Sequence, residues 1–254
     1  MTLMEHYALP EQIYGAALVF ARVGSFCMLI PGIGETSVPA NIRLAFALLL
    51  AMVLYPIVRS SLPAIPATLD GLAAQVTIEI LIGLGIGALL RLFLSTLLVA
   101  GEVVSLQTTL SFAQTTNPTE AQPTATVGSF LTILGLTLIF ATNLHHVFLA
   151  GVVHSYALFP VARPAPIGDF GQLAARMTGE TFALGIQLSA PVMVFSLVFN
   201  VATGFIARAM PQFQVFFVAS PLTVLLGLSV FALSLGVFGL VWIDRYRAFA
   251  ERLT

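Results

Sequence analysis

The sequence predicts an all-α fold, a hydrophobic integral membrane-complex protein of long kinked helices and helix hairpins. Of its 254 residues 58% are apolar and only 8% charged, against the roughly 25% charged of an ordinary soluble domain. Mean hydropathy is +1.00. The apolar residues fall in runs at 13–33, 42–58, 72–101, 126–162, 180–207 and 213–241. These far exceed the roughly 9–11 residues of a membrane barrel strand and lack its alternation. In hydrocarbon each backbone donor and acceptor must be satisfied within the segment, which leaves helix as the assignment.

The elements follow in order. Glu5 and Glu11 precede the first basic residue, Arg22, a charge pattern opposite to that of a secretory leader, so the run 13–33 is expected to be retained as a helix. The run 42–58 is short for a span. Arg59, Pro63, Pro66 and Asp70 make 59–71 an ordered linker. As one helix, 72–101 would be roughly 45 Å long, well beyond a hydrocarbon core of about 30 Å. The run 126–162 is too long for one span and tight for two, and Asn143, His145 and His146 mark the place for a break. A second linker, 160–172, holds Pro160, Pro164, Pro166 and Gly168. Two long apolar helices then flank the turn Arg208-Ala209-Met210-Pro211-Gln212. Arg245, Arg247 and Arg252 favour a cytoplasmic C-terminus. No internal repeat stands out at a fixed period.

Several classes of function find no support. A net charge of −1 with ten scattered arginines offers no basic stripe for nucleic acid. The absence of lysine excludes a phosphate-loop lysine, a Schiff base and a Ser–Lys dyad. His145, His146 and His154 have no i, i+4 pair and no acidic neighbour in sequence, so helix-break or packing roles are favoured over metal binding. Cys27, the single cysteine, reads as a packing residue. No catalytic residue and no cofactor is expected.

Three features call for more. Charges inside apolar helices each cost about 2.5–3.5 kcal/mol or more in hydrocarbon unless paired or wet. Arg22 lies roughly 15 Å from either end of its run, too far to reach water easily. Glu79, Arg91, Glu102 and Glu180 raise the same demand. Their partners are either other helices of this chain, neighbouring subunits, or an ion pathway. Gly83, Gly85 and Gly87 contain one GxxxG pair, which either admits a close helix neighbour or loosens the helix. Finally, the stretch 105–125 is polar and rich in small residues, with Leu110 and Phe112 as isolated apolar anchors. Irregular backbone at membrane depth is tolerated only where protein buries it or it lines water. A channel-constricting loop and an ordinary external loop are the two readings.

At this point four stretches together resemble the FliR family of flagellar export proteins, along with its virulence-secretion counterparts. They are ARVGSFCMLIPGIGETSVPANIRLAF with Arg22, Pro31, Pro39 and Arg43; EILIGLGIG at 79–87; GEVVSLQTTLSFAQTTNP at 101–118; and 190–223 with Pro191, Asn200, Gly204, Arg208, Pro211, Gln212 and Pro221. The resemblance covers nearly the whole chain. It implies a non-enzymatic subunit of a type III protein-export gate in the bacterial inner membrane, within the flagellar basal body, passing unfolded flagellar substrates. FliP-like and FliQ-like subunits are the implied partners, with FlhB-like and FlhA-like proteins and membrane lipid beside them. It also implies a division into a FliP-like part, 1–175, and a FliQ-like helical hairpin, 176–254. The loop at about 105–123 would plug the pore, with Gln107, Leu110, Ser111, Phe112, Ala113, Gln114, Thr115, Thr116, Asn117 and Pro118 as its residues. Arg22, Arg43, Glu79, Arg91, Glu102, Arg208 and Gln212 would be buried charges and assembly contacts. Gly83, Gly87, Pro39, Asn200, Gly204, Pro211 and Pro221 would serve helix packing and turns. The chain departs from the family pattern at Asn117, where an acidic residue is common, and at Thr109, where glycine is frequent.

Two rivals remain on sequence grounds. An ion-coupled secondary transporter would use Glu79, Arg91 and Glu102 near the midplane, and inverted repeats would favour it. An intramembrane enzyme acting on lipid needs a nucleophile beside a base or metal, and no such pattern is present.

Overall fold

A computed structural model describes residues 3–110, 126–161, 167–210, 212 and 214–252, and every regular element among them is helical. The helices are α1 (Leu3–Leu29), α2 (Ala40–Val58), α3 (Leu69–Leu94), α4 (Thr96–Gln107), α5 (Thr126–Ala141), α6 (Leu144–Leu158), α7 (Ile167–Ala209) and α8 (Val215–Glu251), with a 3₁₀ turn at Arg59–Ser61.

The breaks follow local chemistry. Pro39 precedes α2 in an extended conformation and its carbonyl accepts from the amides of Ile42 and Arg43 at 3.1 and 3.2 Å. Pro63 and Pro66 keep the segment before α3 non-helical. Asn143 takes a left-handed φ of 57°, which an Asn side chain tolerates better than most. The expected interruption near 143–146 is therefore a helix end and a new start. Ser95, itself with helical dihedrals, alone separates α3 from α4, so the two form one nearly continuous apolar stretch.

Helix limits also extend past the apolar runs. The linker expected at 160–172 is shorter, because α7 begins at Ile167. Asp169 in its first turn is favoured beside the unsatisfied amides there. Residue 175 thus lies inside a continuous helix.

Two compact units form. The first takes residues up to Phe93, Thr142–Met177 and the chain from Arg247 onward. Its core includes Leu18, Val23, Phe26, Ile82, Ile86, Leu90, Phe148 and Val152, all buried. Phe93 stacks on Phe249 with centroids 5.5 Å apart. The second takes Leu94–Ala141 and Thr178–Tyr246. Here Gly101 faces Gly128 so closely that a Cβ would stand 2.2 Å from the Gly128 Cα, which brings α4 and α5 nearly into backbone contact. Residues 199–206 of α7, with Met210 just beyond its end, share one apolar cleft with 215–222 of α8, and 187–191 share another with 234–241, so the two run antiparallel as a hairpin.

Among the described residues five helical stretches are long and apolar enough to cross a membrane, including Leu69–Gln107, Gly168–Ala209 and Phe217–Glu251 with 39, 42 and 35 residues. Crossing needs about 20, so these helices outreach a simple span. Only 28% of the most apolar window of 168–209 and 22% of that of 217–251 is covered by the chain itself. The hairpin therefore leaves most of its apolar surface for something outside the chain.

Candidate functional site

The first site grows from two helical stripes. On α1, Tyr14, Leu18, Arg22 and Phe26 recur every four residues, and on α3 Gln75, Glu79, Gly83 and Gly87 do the same, so each set shares a face. The faces meet with the helices parallel. The Tyr14 hydroxyl donates to Gln75 at one end. At the other, a Cβ on Gly83 would lie 2.2 Å from the Arg22 carbonyl oxygen and one on Gly87 would lie 2.8 Å from the Leu29 Cβ. The glycine pair admits a close neighbour.

Arg22 and Glu79 sit within that contact, both with no exposed side-chain surface. Arg22 Nε donates to Glu79 Oε2 at 2.6 Å and Nη2 to Oε1 at 3.0 Å, a two-pronged pairing. Nη2 also reaches the Phe159 carbonyl at 2.8 Å, and Nη1 the Ser155 hydroxyl at 3.2 Å. The guanidinium lies 4.0 Å from the Tyr156 ring centre, where the ring face attracts a cation. Of the partners left open by the sequence, these two charges find theirs on other helices of the same chain. Sequence reasoning missed Ser155, Tyr156 and Phe159, which lie more than 130 positions away.

The other charges differ. Arg91 comes within 3.9 Å of Glu35, with side chains 43% and 23% exposed, a pair of small energetic weight. Arg43 is half-buried, and its Nε is enclosed without a hydrogen-bond partner among the described residues. Glu102 is exposed on α4, and Arg208 and Gln212 are exposed at the hairpin end.

The second site is the end of α4. Gln107 Oε1 accepts a 2.9 Å hydrogen bond from the buried Ser196 hydroxyl of α7. Ser196 in turn accepts from Asn200 Nδ2 at 3.3 Å. Thr108 is fully buried, its hydroxyl donating to the Val104 carbonyl at 2.8 Å. Its methyl lies against Gly227 of α8, where a Cβ would come within 2.6 Å. Thr109 has a left-handed φ of 57° and a buried hydroxyl lacking a hydrogen-bond partner among the described residues. That conformation suits the glycine that the family resemblance leads one to expect there. Leu110 follows, half-exposed. Ser111, Phe112, Ala113, Gln114, Thr115, Thr116, Asn117 and Pro118 lie outside the described residues, as does Pro211.

Gly204 has open space around it, with nothing within 4 Å of a Cβ, so no close approach occurs there within the chain. Pro221 lies inside α8 near its start. Among the described residues no three of His, Cys, Asp and Glu gather as a metal would require.

The geometry is that of packing and anchoring. The family profile described as bacterial export proteins, family 1, matches residues 13–249. The flagellar biosynthetic protein FliR of Caulobacter vibrioides is 54% identical over 251 residues, 99% of this chain and 100% of that protein. The protein of the same name from Bacillus subtilis is 29% identical over 82% of this chain and 80% of its own. That from Aquifex aeolicus is 25% identical over 97% and 95%. With its stripes, hairpin and anchored α4 end spanned by that match, the chain belongs to the FliR family of bacterial export proteins.

Proposed function

We propose that the chain is a non-enzymatic subunit of the flagellar type III export gate, forming with FliP-like and FliQ-like proteins the channel for unfolded flagellar substrates. The full-length 54% identity to a flagellar biosynthetic protein carries this reading. The chain up to about 175 is the FliP-like part and the hairpin from 176 the FliQ-like part. FlhB-like and FlhA-like proteins stand beside the gate in the inner membrane, at the flagellar basal body.

The mechanism is steric. Residues 110–118 close the pore, and the little-covered apolar faces of α7 and α8 supply area for neighbours. Such a segment must be held by modest contacts, since tight ones would not release. The transporter alternative gains nothing from Glu79, whose two oxygens are both engaged by Arg22 without solvent access.

The direct test is loss and rescue. Removing the gene should abolish export of flagellar subunits, and the tagged chain restored from a plasmid should co-purify with FliP-like and FliQ-like proteins. Normal export without the chain, or its recovery free of both partners, would reject the assignment.

A further inference from the structure

We propose that Gln107, Ser196 and Asn200, together with Thr108 seated on Gly227, form a clasp by which the C-terminal helix hairpin fixes the backbone of Thr109. The inference rests on the reading of 110–118 as the pore-closing segment, and it identifies what positions the root of that segment.

Four observations converge. Thr109 is β-branched yet left-handed, with φ 57°, a conformation that crowds its Cβ against the following carbonyl. Its hydroxyl is buried and finds no acceptor or donor among the described residues. On both counts residue 109 is held against its own preference, so its neighbours must do the holding. The neighbours on its N-terminal side are tied: Gln107 to Ser196 at 2.9 Å, Ser196 to Asn200 at 3.3 Å, and Thr108 in full burial against Gly227. Ser196 and Asn200 are i and i+4 on α7, hence on one face, and Gly227 is on α8. Both helices of the hairpin therefore grip the last turn of α4. The Thr108 and Thr109 amides, donating to Val104 and Leu106 at 3.0 and 3.3 Å, are the backbone bonds this grip protects. A displacement of α7 along its axis would break the Gln107–Ser196 bond first, and residue 109 would then be free to leave the left-handed region.

The test uses the assembled complex with Ser196→Ala, Gln107→Leu and the mild Asn200→Ala. Ser196→Thr is the variant that keeps the hydroxyl, and deletion of 110–117 runs alongside. Two quantities are read: amide hydrogen exchange over residues 104–110 in the purified complex, and ion leak in membranes. A side-chain hydrogen bond of ordinary strength corresponds to roughly three- to tenfold faster exchange when it is lost. Ser196→Ala and Gln107→Leu should show that acceleration at Thr108 and Thr109, and the double variant no more than either alone. Asn200→Ala should show a smaller rise, and Ser196→Thr should return close to the parent protein. Unchanged exchange in both Ser196→Ala and Gln107→Leu overturns the clasp. If Ser196→Ala fails to assemble, Asn200→Ala decides by the same criterion. Faster exchange with leak in the clasp variants and in the deletion supports both the clasp and the pore-closing reading. Faster exchange without leak even in the deletion keeps the clasp and rejects the pore-closing reading. Leak in the deletion alone overturns the clasp's hold on that segment.

Discussion

Gly83 stands one helical turn beyond Glu79 on α3, and a Cβ there would meet the Arg22 carbonyl oxygen at 2.2 Å. The missing side chain of the one residue lets the carboxylate of the other reach the guanidinium at 2.6 Å. Gly83→Ala should therefore push α3 off α1 and lengthen the ion pair, with a loss of about 1–3 kcal/mol from overpacking alone. Thermal dissociation of the purified complex measures it. An unchanged midpoint would show that the helix contact is softer than its spacing indicates.

Arg22→Ala should be worse than losing the whole pair. It leaves Glu79 buried without its counter-charge, at about 3–5 kcal/mol. Replacing both residues with Met removes both charges and keeps much of the volume, and it should restore most of the yield of folded protein. Detergent-extracted yield of the single and double variants is the readout, and equal loss in both would give the pair a role beyond neutralising itself.

Thr109→Gly should stabilise the backbone conformation seen at the α4 end. Relief of the left-handed strain is worth about 1–2 kcal/mol, partly offset by the greater freedom of glycine in other states. If 110–118 closes the pore, ion leak should fall and export should slow. Faster export with this variant would mean that residue 109 leaves the left-handed region in the sealed gate.

Deleting 110–117 should leave assembly intact and make membranes permeable to ions and small solutes. Conductance of membranes carrying the assembled deletion variant checks this, and parental leak rates would remove the pore-closing assignment from the segment.

Gly204→Leu separates the chain's own packing from contact with neighbours. Open space surrounds Gly204 within the chain, and replacing a helical glycine removes a penalty of about 1 kcal/mol, so the fold itself should be undisturbed. Co-purification of FliP-like and FliQ-like proteins should nevertheless drop if a neighbour approaches closely at that point. Undiminished recovery would place Gly204 at a lipid-facing or open position.

Local chemistry made much of the fold legible. The break at Asn143 and the linker prolines before α3 each follow from residues whose effect acts within a turn of chain. Helix ends were less legible, because helices run on past apolar runs into polar ends: α1 begins at Leu3 and α7 at Ile167. The partner of Arg22 could not be read locally, since 57 positions separate it from Glu79. A signal was present in the four-residue recurrence of Gln75, Glu79, Gly83 and Gly87, which marks a single face that both approaches a backbone and carries a charge. At the α4 end the sequence pointed to Thr109 only by its departure from glycine. That Gln107 would reach Ser196, 89 positions on, required the packing of α7.

The Arg22 fork has a bearing on how the protein is made. Its buried guanidinium is paired with Glu79 and also donates to Ser155 and Phe159 of the same polypeptide, so residue 159 must be made before that set is complete. Until about 160 residues are synthesised, the guanidinium on the first long helix lacks its full set of acceptors. After that point the guanidinium has every acceptor it uses, all of them from its own chain.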